Sequence, residues 1–559
     1  MSLCVQKNEK FLKVKGEEMK TLFVALNAKY IHTNLALRSI ATYCREFSPV
    51  IREYTINDSM DNIIASIHSE KADIVAFSCY IWNIEEILYI AESLKKVNPE
   101  LKIILGGHEV SYDSSEILQN NPSVDFIIRG EGEKPMQKLL SSIIGENTYE
   151  DVLSLTYRDG DSIKENPLSE PGHLNEYEFC YDESIRSYKS KIIYYESSRG
   201  CPFRCSYCLS GRSGGVDYLD IDRVKKELLF FIENEVPLVK FVDRTFNADK
   251  KRAREIFRLI IENSKKTRFH FELAGNLIDD ETIEVLKSAP EGIIQFEIGV
   301  QSTNPDTLRE IGRNIPLSAI EDKIEALLEI GTIHIHLDLI AGLPYENYES
   351  FRKSFDDVVR LRPHVLQLGF LKLLKGSKLR DEEEKFSYKY KAKAPYEVME
   401  NNFITFDELI KLKYIEDLFE KYYNSGDFKR CMDYLFKNYP SPFGVFEKIY
   451  DYYMENRLFD RAVSLEERYD IIGKIFNIED YAKADRLTNP KAKIPYEVDE
   501  VFKAQCFEFL KNENNLEKYL PEYKNSAPRN IYKRLRFQKI FGGVYVYDGT
   551  ELIDITDEF

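Results

Sequence analysis

The chain has 559 residues, with 77 Lys and Arg against 94 Asp and Glu, a formal charge of −17. Roughly 150 residues per domain gives three or four domains, and 43% hydrophobic residues exclude a disordered or collagen-like chain. The acidic balance argues against a nucleic-acid-coating protein, no apolar run reaches the ~18–20 residues of a membrane helix, and the first apolar run, 21–26, is too short for a signal peptide. A cytoplasmic protein with neither membrane nor nucleic acid as partner is expected.

Residues 1–18 lack the β-α pattern of the residues after 19. Gly16-Glu17-Glu18 before Met19 can be encoded by purine-rich codons resembling a ribosome-binding site, so Met19 is the expected native start and 1–18 a non-native leader. Residues 19–147 then alternate apolar runs at 21–26, 50–55, 74–78, 103–105 and 126–128 with helical patterns near 34–46, 59–69, 84–97, 113–119 and 134–144. This β-α alternation predicts an α/β fold, a Rossmann-like doubly wound parallel sheet. Ligands bind such sheets at the carboxyl ends of the strands. Residues 148–190 read as a linker, with a hairpin turn at Asp159-Gly160-Asp161 and breaks at Pro167 and Pro171-Gly172.

Alternation resumes at 191, with strands expected at 192–196, 238–242, 269–273, 293–299, 333–340 and 365–370. Six units predict a partial (β/α)6 TIM-like barrel over 191–384, since a full barrel needs about 250 residues. Residues 385–559 read as mostly helical. Tyr414, Phe419, Tyr422 and Tyr423 recur at helical spacing and are expected in its core. The run 529–539, with Arg529, Lys533, Arg534, Arg536 and Lys539, reads as a basic helix face. The acidic last twelve residues read as a solubilising tail after a hairpin at Asp548-Gly549.

The nine cysteines carry the chemistry. An odd count without a signal peptide argues against a disulfide framework. Six are scattered, but Cys201, Cys205 and Cys208 fall within eight residues, directly after the first barrel strand. Thiolates bind iron–sulfur clusters, and a four-iron cluster normally takes four. Three ligands leave one iron open, to which the amino and carboxylate groups of S-adenosylmethionine (SAM) can bind. Zinc is the alternative, but it favours paired Cys and His spacings, and no His lies between 174 and 269.

The Cys201-Pro202-Phe203-Arg204-Cys205-Ser206-Tyr207-Cys208 segment resembles the radical SAM superfamily. Further matches come in strand order. The aromatic Tyr207 precedes the third cysteine. Glu272 ends the third strand, Gln301 the fourth, Arg313 stands twelve residues on, and Asp338 lies in Asp338-Leu339-Ile340-Ala341-Gly342. The resemblance implies a [4Fe-4S] cluster on the three cysteines, and SAM contacts at Tyr207, Glu272, Gln301, Arg313 and Asp338. The usual glycine-rich motif after the second strand is replaced by Val242-Asp243-Arg244-Thr245, with Asp243 as the candidate contact.

An N-terminal sheet before such a barrel resembles the cobalamin (B12)-binding class of radical SAM proteins, and 385–559 resembles an uncharacterised helical extension found on some of them. This implies a corrinoid at Gly106, Gly107 and His108 and at Gly130, Glu131 and Gly132. Asn27, His32, Thr33, Asn34, Ser78, Tyr80 and Trp82 would complete the floor. The Asp-x-His-x-x-Gly motif is absent, so base-off binding without a histidine from that motif is implied. Methylthiotransferases acting on tRNA carry a second three-cysteine cluster in the domain before the barrel. Residues 20–150 hold only Cys44 and Cys79, which excludes that reading.

The resemblance therefore implies a cobalamin-dependent radical SAM enzyme. SAM would be reductively cleaved to a 5′-deoxyadenosyl radical, and methyl transferred from methylcobalamin to an unactivated carbon, with a second SAM restoring it. A flavodoxin- or ferredoxin-type reductant would serve it, the helical domain closing the barrel mouth as a lid. The alternatives are a cyclase or rearrangement enzyme resembling the anaerobic Mg-protoporphyrin ester cyclase, and an Fe–S electron-transfer or sensing protein without turnover.

Overall fold

The computed structural model describes residues 13–14, 17–145, 147–211, 215–493 and 499–559. Most of the leader expected at 1–18, Cys4 included, lies outside the described residues. The chain divides into two units, one of residues 1–347 and 369–405, the other of 348–368 and 406–559. No helix among the described residues is long and apolar enough to cross a membrane.

In the first unit, strands β1 (Thr21–Asn27), β2 (Val50–Thr55), β3 (Ile74–Ser78), β4 (Lys102–Gly106) and β5 (Phe126–Ile128) pair in parallel in the order 2-1-3-4-5. Helices α1 (Leu35–Tyr43), α2 (Met60–Ser69), α3 (Ile84–Val97), α4 (Ser114–Asn120) and α5 (Glu133–Ile143) alternate with them. β1 and β3 are buried at every position. Their alternate side chains enter two separate cores. Phe23, Ala25 and Ala76 pack with Leu37 of α1 and Leu139 of α5, while Leu22, Val24 and Phe77 pack with Ile63, Ile87 and Leu118 from α2, α3 and α4. Both faces are covered, as a parallel sheet requires. The strand order reverses between β1 and β3, which puts the ligand crevice beyond their carboxyl ends.

The hairpin expected within the linker belongs to this sheet. β6 (Leu155–Asp159) and β7 (Ser162–Glu165) extend it antiparallel from β5. Leu155 and Tyr157 are buried in the same core as Phe126, and this apolar face draws the hairpin onto the sheet edge.

The barrel sheet runs β8 (Ile193–Tyr195), β11 (Leu238–Phe241), β12 (Arg268–Leu273), β13 (Ile294–Gln301), β14 (His334–Ala341) and β15 (Val365–Phe370), six strands in chain order. Between the first two, β9 (Ser198–Gly200) and β10 (Val216–Tyr218) pair antiparallel around the cysteine segment. By their contacts, residues 369–405 belong with the first unit. Residues 371–401 stay with the barrel because Val398 N–H donates to Leu371 O (2.9 Å) and Asn401 Nδ2 to Gly342 O (2.9 Å).

In the second unit, Tyr348–Val359 packs with the later helices. Phe355 meets Phe419, Phe443 and Phe446 edge-on, and the Asp356 carboxylate accepts from Phe443 N–H at 2.7 Å. Phe419 and Tyr422 lie in this core as expected, both fully buried. The run 529–539 is not one helix. Pro528–Tyr532 is a single helical turn and Arg536–Ile540 a strand, paired with Gly543–Tyr547 and through it with Leu552–Asp554. The acidic end is not a free tail, because Ile555 is fully buried beside Val544 and Val546.

Candidate functional site

The chain leaves β8 through Ser197 and enters the cysteine segment through β9. Asp243, just after β11, fixes this passage. Its carboxylate accepts from Ser197 N–H (2.8 Å), Ser197 Oγ (2.7 Å) and Ser198 Oγ (2.6 Å) and is 1% exposed. Burial pushes its carboxyl up to about 6. These three bonds give Asp243 a role in positioning the cysteine segment, beside the SAM contact expected of it. Gly200 has φ +101°, and a Cβ there would meet Gly215 O at 2.2 Å, so only glycine fits where the chain turns toward Cys201.

Thr245 Oγ1 lies 3.3 Å from Cys201 Sγ, Arg313 Nη1 4.0 Å from Cys205 Sγ, and Ser210 N–H 3.4 Å from Cys208 Sγ. Burial raises the Cys205 thiol, opposed by the Arg313 guanidinium. Ser206 N–H donates to Ile311 O, and Leu379 N–H to Ser206 O, both at 3.0 Å, which pins the loop to elements after β13 and β15. Among the described residues no three His, Cys, Asp or Glu side chains already converge on one metal position. The chemistry of the donor set nonetheless fits a cluster: three thiols on one loop, each with a polar neighbour.

The predicted SAM residues line the barrel end. Gln301 sits at a β-bulge against β14 with φ +70°, a strained conformation for a non-glycine residue. Gly299 makes room for it, since a Cβ there would meet Gln301 Nε2 at 2.1 Å. Gln301 Oε1 and Asp338 Oδ1 are buried without a hydrogen-bond partner. Buried polar atoms are normally paired, so these two fit a polar ligand such as the SAM ribose and amino groups. Burial, then the charges of Glu297 and Glu272, hold Asp338 well above the usual carboxylate range, and burial also raises Glu272. Tyr207 lies beside Cys205 and Arg313, its phenol raised by burial.

Below these residues the barrel interior carries groups that the motif analysis missed. Lys240 Nζ (3.2 Å) and His270 Nε2 (2.9 Å) both reach Glu297 Oε2. The His270 bond leads in holding Glu297 down at about 2. Gln295 Nε2 donates to His336 Nε2 at 2.7 Å, and the His334 ring stands 4.7 Å from that of His336. The signal was present in the alternation of Ile294-Gln295-Phe296-Glu297 and His334-Ile335-His336-Leu337. The apolar alternates are buried and the polar ones half-buried.

At the carboxyl end of the N-terminal sheet the predicted corrinoid residues separate into two groups. Asn27, His32, Thr33, Asn34 and Ser78 are engaged in holding loops. Asn27 Nδ2 donates to His32 O (3.2 Å) and Glu53 (2.9 Å), His32 Nδ1 meets Tyr194 OH (2.6 Å), Thr33 Oγ1 donates to Ile192 O (2.9 Å), and Asn34 Nδ2 donates to Ser78 Oγ (2.9 Å) while its carbonyl caps α1. The second group lies around an aromatic pair and two glycine loops. Tyr80 and Trp82 stack at 4.4 Å and 6°, and Trp82 is 41% exposed. Asn83, the last residue of this loop, holds the pair by donating to Leu26 O and Ser78 O and accepting from Tyr80 N–H. Gly107 has φ +115°, and a Cβ there would meet Cys79 O at 2.4 Å. Ser111 Oγ donates to Gly107 O (2.8 Å) and accepts from Gly130 N–H (3.1 Å), joining the two glycine loops, with His108 opening a 3-10 turn after Gly107 and Glu131 and Gly132 leading into α5. Gly106 pairs with Ser78 as the last residue of β4. A stacked aromatic pair beside two glycine loops suits a flat macrocycle with amide side chains.

Comparison with known proteins accords with this layout. The Radical SAM superfamily model matches residues 195–358, the B12 binding domain model residues 21–140, and a model described as protein of unknown function (DUF4080) residues 384–553. The chain is 25% identical over 384 residues to a 2-(S-pantetheinyl)-carbapenam-3-carboxylate methyltransferase of Streptantibioticus cattleyicolor. It is 24% identical over 387 residues to the cobalamin-dependent radical SAM methyltransferase TokK of Streptomyces tokunonensis. Each match covers 63% of this chain but only 55% of the relative, so the chain spans about half the length of these curated relatives. The fold is similar to that of the cobalamin-dependent SAM radical enzyme OxsB solved with aqua-cobalamin and SAM, with a TM-score of 0.57 at 14% identity over 90% of this chain and 84% of that one. This chain is therefore a radical SAM superfamily protein with an N-terminal B12 binding domain and a C-terminal extension of unknown function.

Proposed function

We propose that this protein is a cobalamin-dependent radical SAM enzyme that transfers a methyl group to an unactivated carbon of its substrate. The observation that carries the reading is the pair of buried, unpartnered acceptors, Gln301 Oε1 and Asp338 Oδ1, in the same unit as a three-cysteine loop and a Tyr80–Trp82 stack. The curated relatives, named as methyltransferases, support the choice of reaction.

When bound, a four-iron cluster with SAM supplies one-electron sulfonium cleavage, and a corrinoid supplies the methyl group. The chain's own part is binding, orientation and charge. Cys201, Cys205 and Cys208 would ligate three irons, with Asp243 and Gly200 fixing their loop. Arg313 offers a cation to the SAM carboxylate. Asp338, Gln301 and Glu272 offer acceptors to its hydroxyl and amino hydrogens. Tyr80, Trp82, Gly106, Gly107, His108, Gly130, Glu131 and Gly132 would seat the corrinoid at the sheet end. A flavodoxin- or ferredoxin-type protein would supply the electron.

Anaerobic reconstitution with iron and sulfide, followed by dithionite and SAM, tests the reading. It predicts about four irons per chain, 5′-deoxyadenosine as product, and a retained base-off spectrum after incubation with hydroxocobalamin. Cys205→Ala is expected to abolish the cluster and the 5′-deoxyadenosine together. A fully loaded cluster that yields no 5′-deoxyadenosine would favour an electron-transfer or sensing protein. A protein that retains no corrinoid would leave a cobalamin-free radical enzyme.

A further inference from the structure

Arg199 stands two residues before Cys201, and its guanidinium is ringed by three carboxylates. Glu196, from the end of the first barrel strand, accepts from Nε (3.1 Å) and Nη2 (2.8 Å). Glu131 and Glu133 come from the sheet. Glu131 Oε2 lies 3.2 Å from Nη1, and Glu133 Oε1 accepts from Nη2 at 3.0 Å. The Tyr177 ring lies 5.4 Å from the guanidinium carbon. Both glutamates are fixed from behind. Ser39 Oγ of α1 donates to Glu133 Oε1 (3.1 Å), and Gly172 N–H donates to Glu131 Oε2 (2.9 Å). Glu133 is 4% exposed and opens α5, where a carboxylate is favoured by the helix dipole. One planar fork thus bonds the loop that carries the cluster cysteines and the glycine loop that would face a corrinoid. Lysine could not reproduce this, because an ammonium is a point charge without the fork geometry. Without the arginine, three carboxylates would face one another.

We propose that Arg199 is a positioning residue that couples the two half-sites, holding the 130–133 loop against the cysteine loop so that occupancy of one changes affinity at the other. This rests on the corrinoid reading above. Such coupling is reciprocal, and it typically changes affinity about 5- to 150-fold.

The test titrates hydroxocobalamin by absorbance into the full-length protein, anaerobically, once with the cluster reconstituted and once with iron removed. In the wild type the two affinities are expected to differ about fivefold or more. In Arg199→Gln the ratio is expected to fall to about one while iron is still incorporated and hydroxocobalamin still retained. Arg199→Lys should not restore it. Glu131→Gln keeps the bonds of Arg199 to Glu196 and Glu133, so it serves if Arg199→Gln fails to fold, and its ratio should also shrink. Because each ratio compares one protein with itself, a change in corrinoid affinity caused by the substitution cancels. A wild-type ratio of one, or an unchanged ratio in the variants, overturns the coupling alone. Absence of hydroxocobalamin retention by the wild type in either state overturns the corrinoid reading and the coupling with it.

Discussion

The N-terminal sheet and the barrel sheet solve the same problem in opposite ways. In the N-terminal sheet, β1 and β3 are apolar on both faces, because α1 and α5 cover one and α2, α3 and α4 the other. In the barrel sheet, β13 and β14 alternate strictly between buried and half-buried positions. Barrels of this kind usually pack their interior with branched apolar side chains. Here Lys240, His270, Glu272, Gln295, Glu297, His336 and Asp338 occupy the inward rows instead. A sheet sealed on both faces can offer a ligand only its strand ends. A barrel whose inner rows are polar can offer ligands its interior as well, and it holds its fold by its outer rows.

The sharpest way to break this contrast is to change neighbours on one strand. Phe271 points outward from β12, packing on Phe241, Phe257 and Phe296, and Glu272 points inward. Phe271→Ala is expected to lower stability by about 3–5 kcal/mol. Glu272→Gln should change it by less than about 1 kcal/mol while weakening SAM binding. Urea unfolding and SAM titration of both variants check this, and comparable stability losses would mean that the inner row is core after all.

The passage between the sheets comes next. Asp243→Asn puts an amide donor against two hydroxyls and a backbone N–H, and should cost about 2 kcal/mol and lower cluster iron after reconstitution. If iron content and stability are both unchanged, Asp243 does not hold the cysteine loop.

The smallest effect concerns the inner charges. Glu297 is held down at about 2, chiefly by the hydrogen bond from His270. The stability from its ionised form is therefore complete above the ordinary carboxylate range and lost as pH falls through about 2. In His270→Ala the depression is smaller, so less stability should be lost as the pH falls through this window, with a penalty of about 1 kcal/mol at neutral pH. Urea midpoints between pH 2 and 5 measure the difference in slope, and superposable profiles would show that Lys240 alone holds the charge.

Much of this was legible in the residues. The strand and helix alternation located five sheet strands and six barrel strands, and the Cys201–Cys208 spacing pointed to the chemistry. The hairpin at 155–165 reads as linker because its turn residues are obvious, whereas the burial of Leu155 and Tyr157 depends on Phe126, far away in the chain. The basic run at 529–539 suggests a helix because charge says nothing about hydrogen-bond partners, which lie at 543–547. The place of Asp243 after the second barrel strand suggests a SAM contact, and only the fold shows that it also holds Ser197 and Ser198 at the entry to the cysteine segment.

The sequence by itself determined periodicity, and periodicity is local: which residues alternate, where turns fall, and which loop carries three thiols. Tertiary structure decided partnership. Residues 131, 133, 196 and 199 are separated in the chain by up to 68 positions, yet one guanidinium holds three carboxylates together. Charges of opposite sign attract wherever the backbone delivers them, and no pattern in the chain records that delivery.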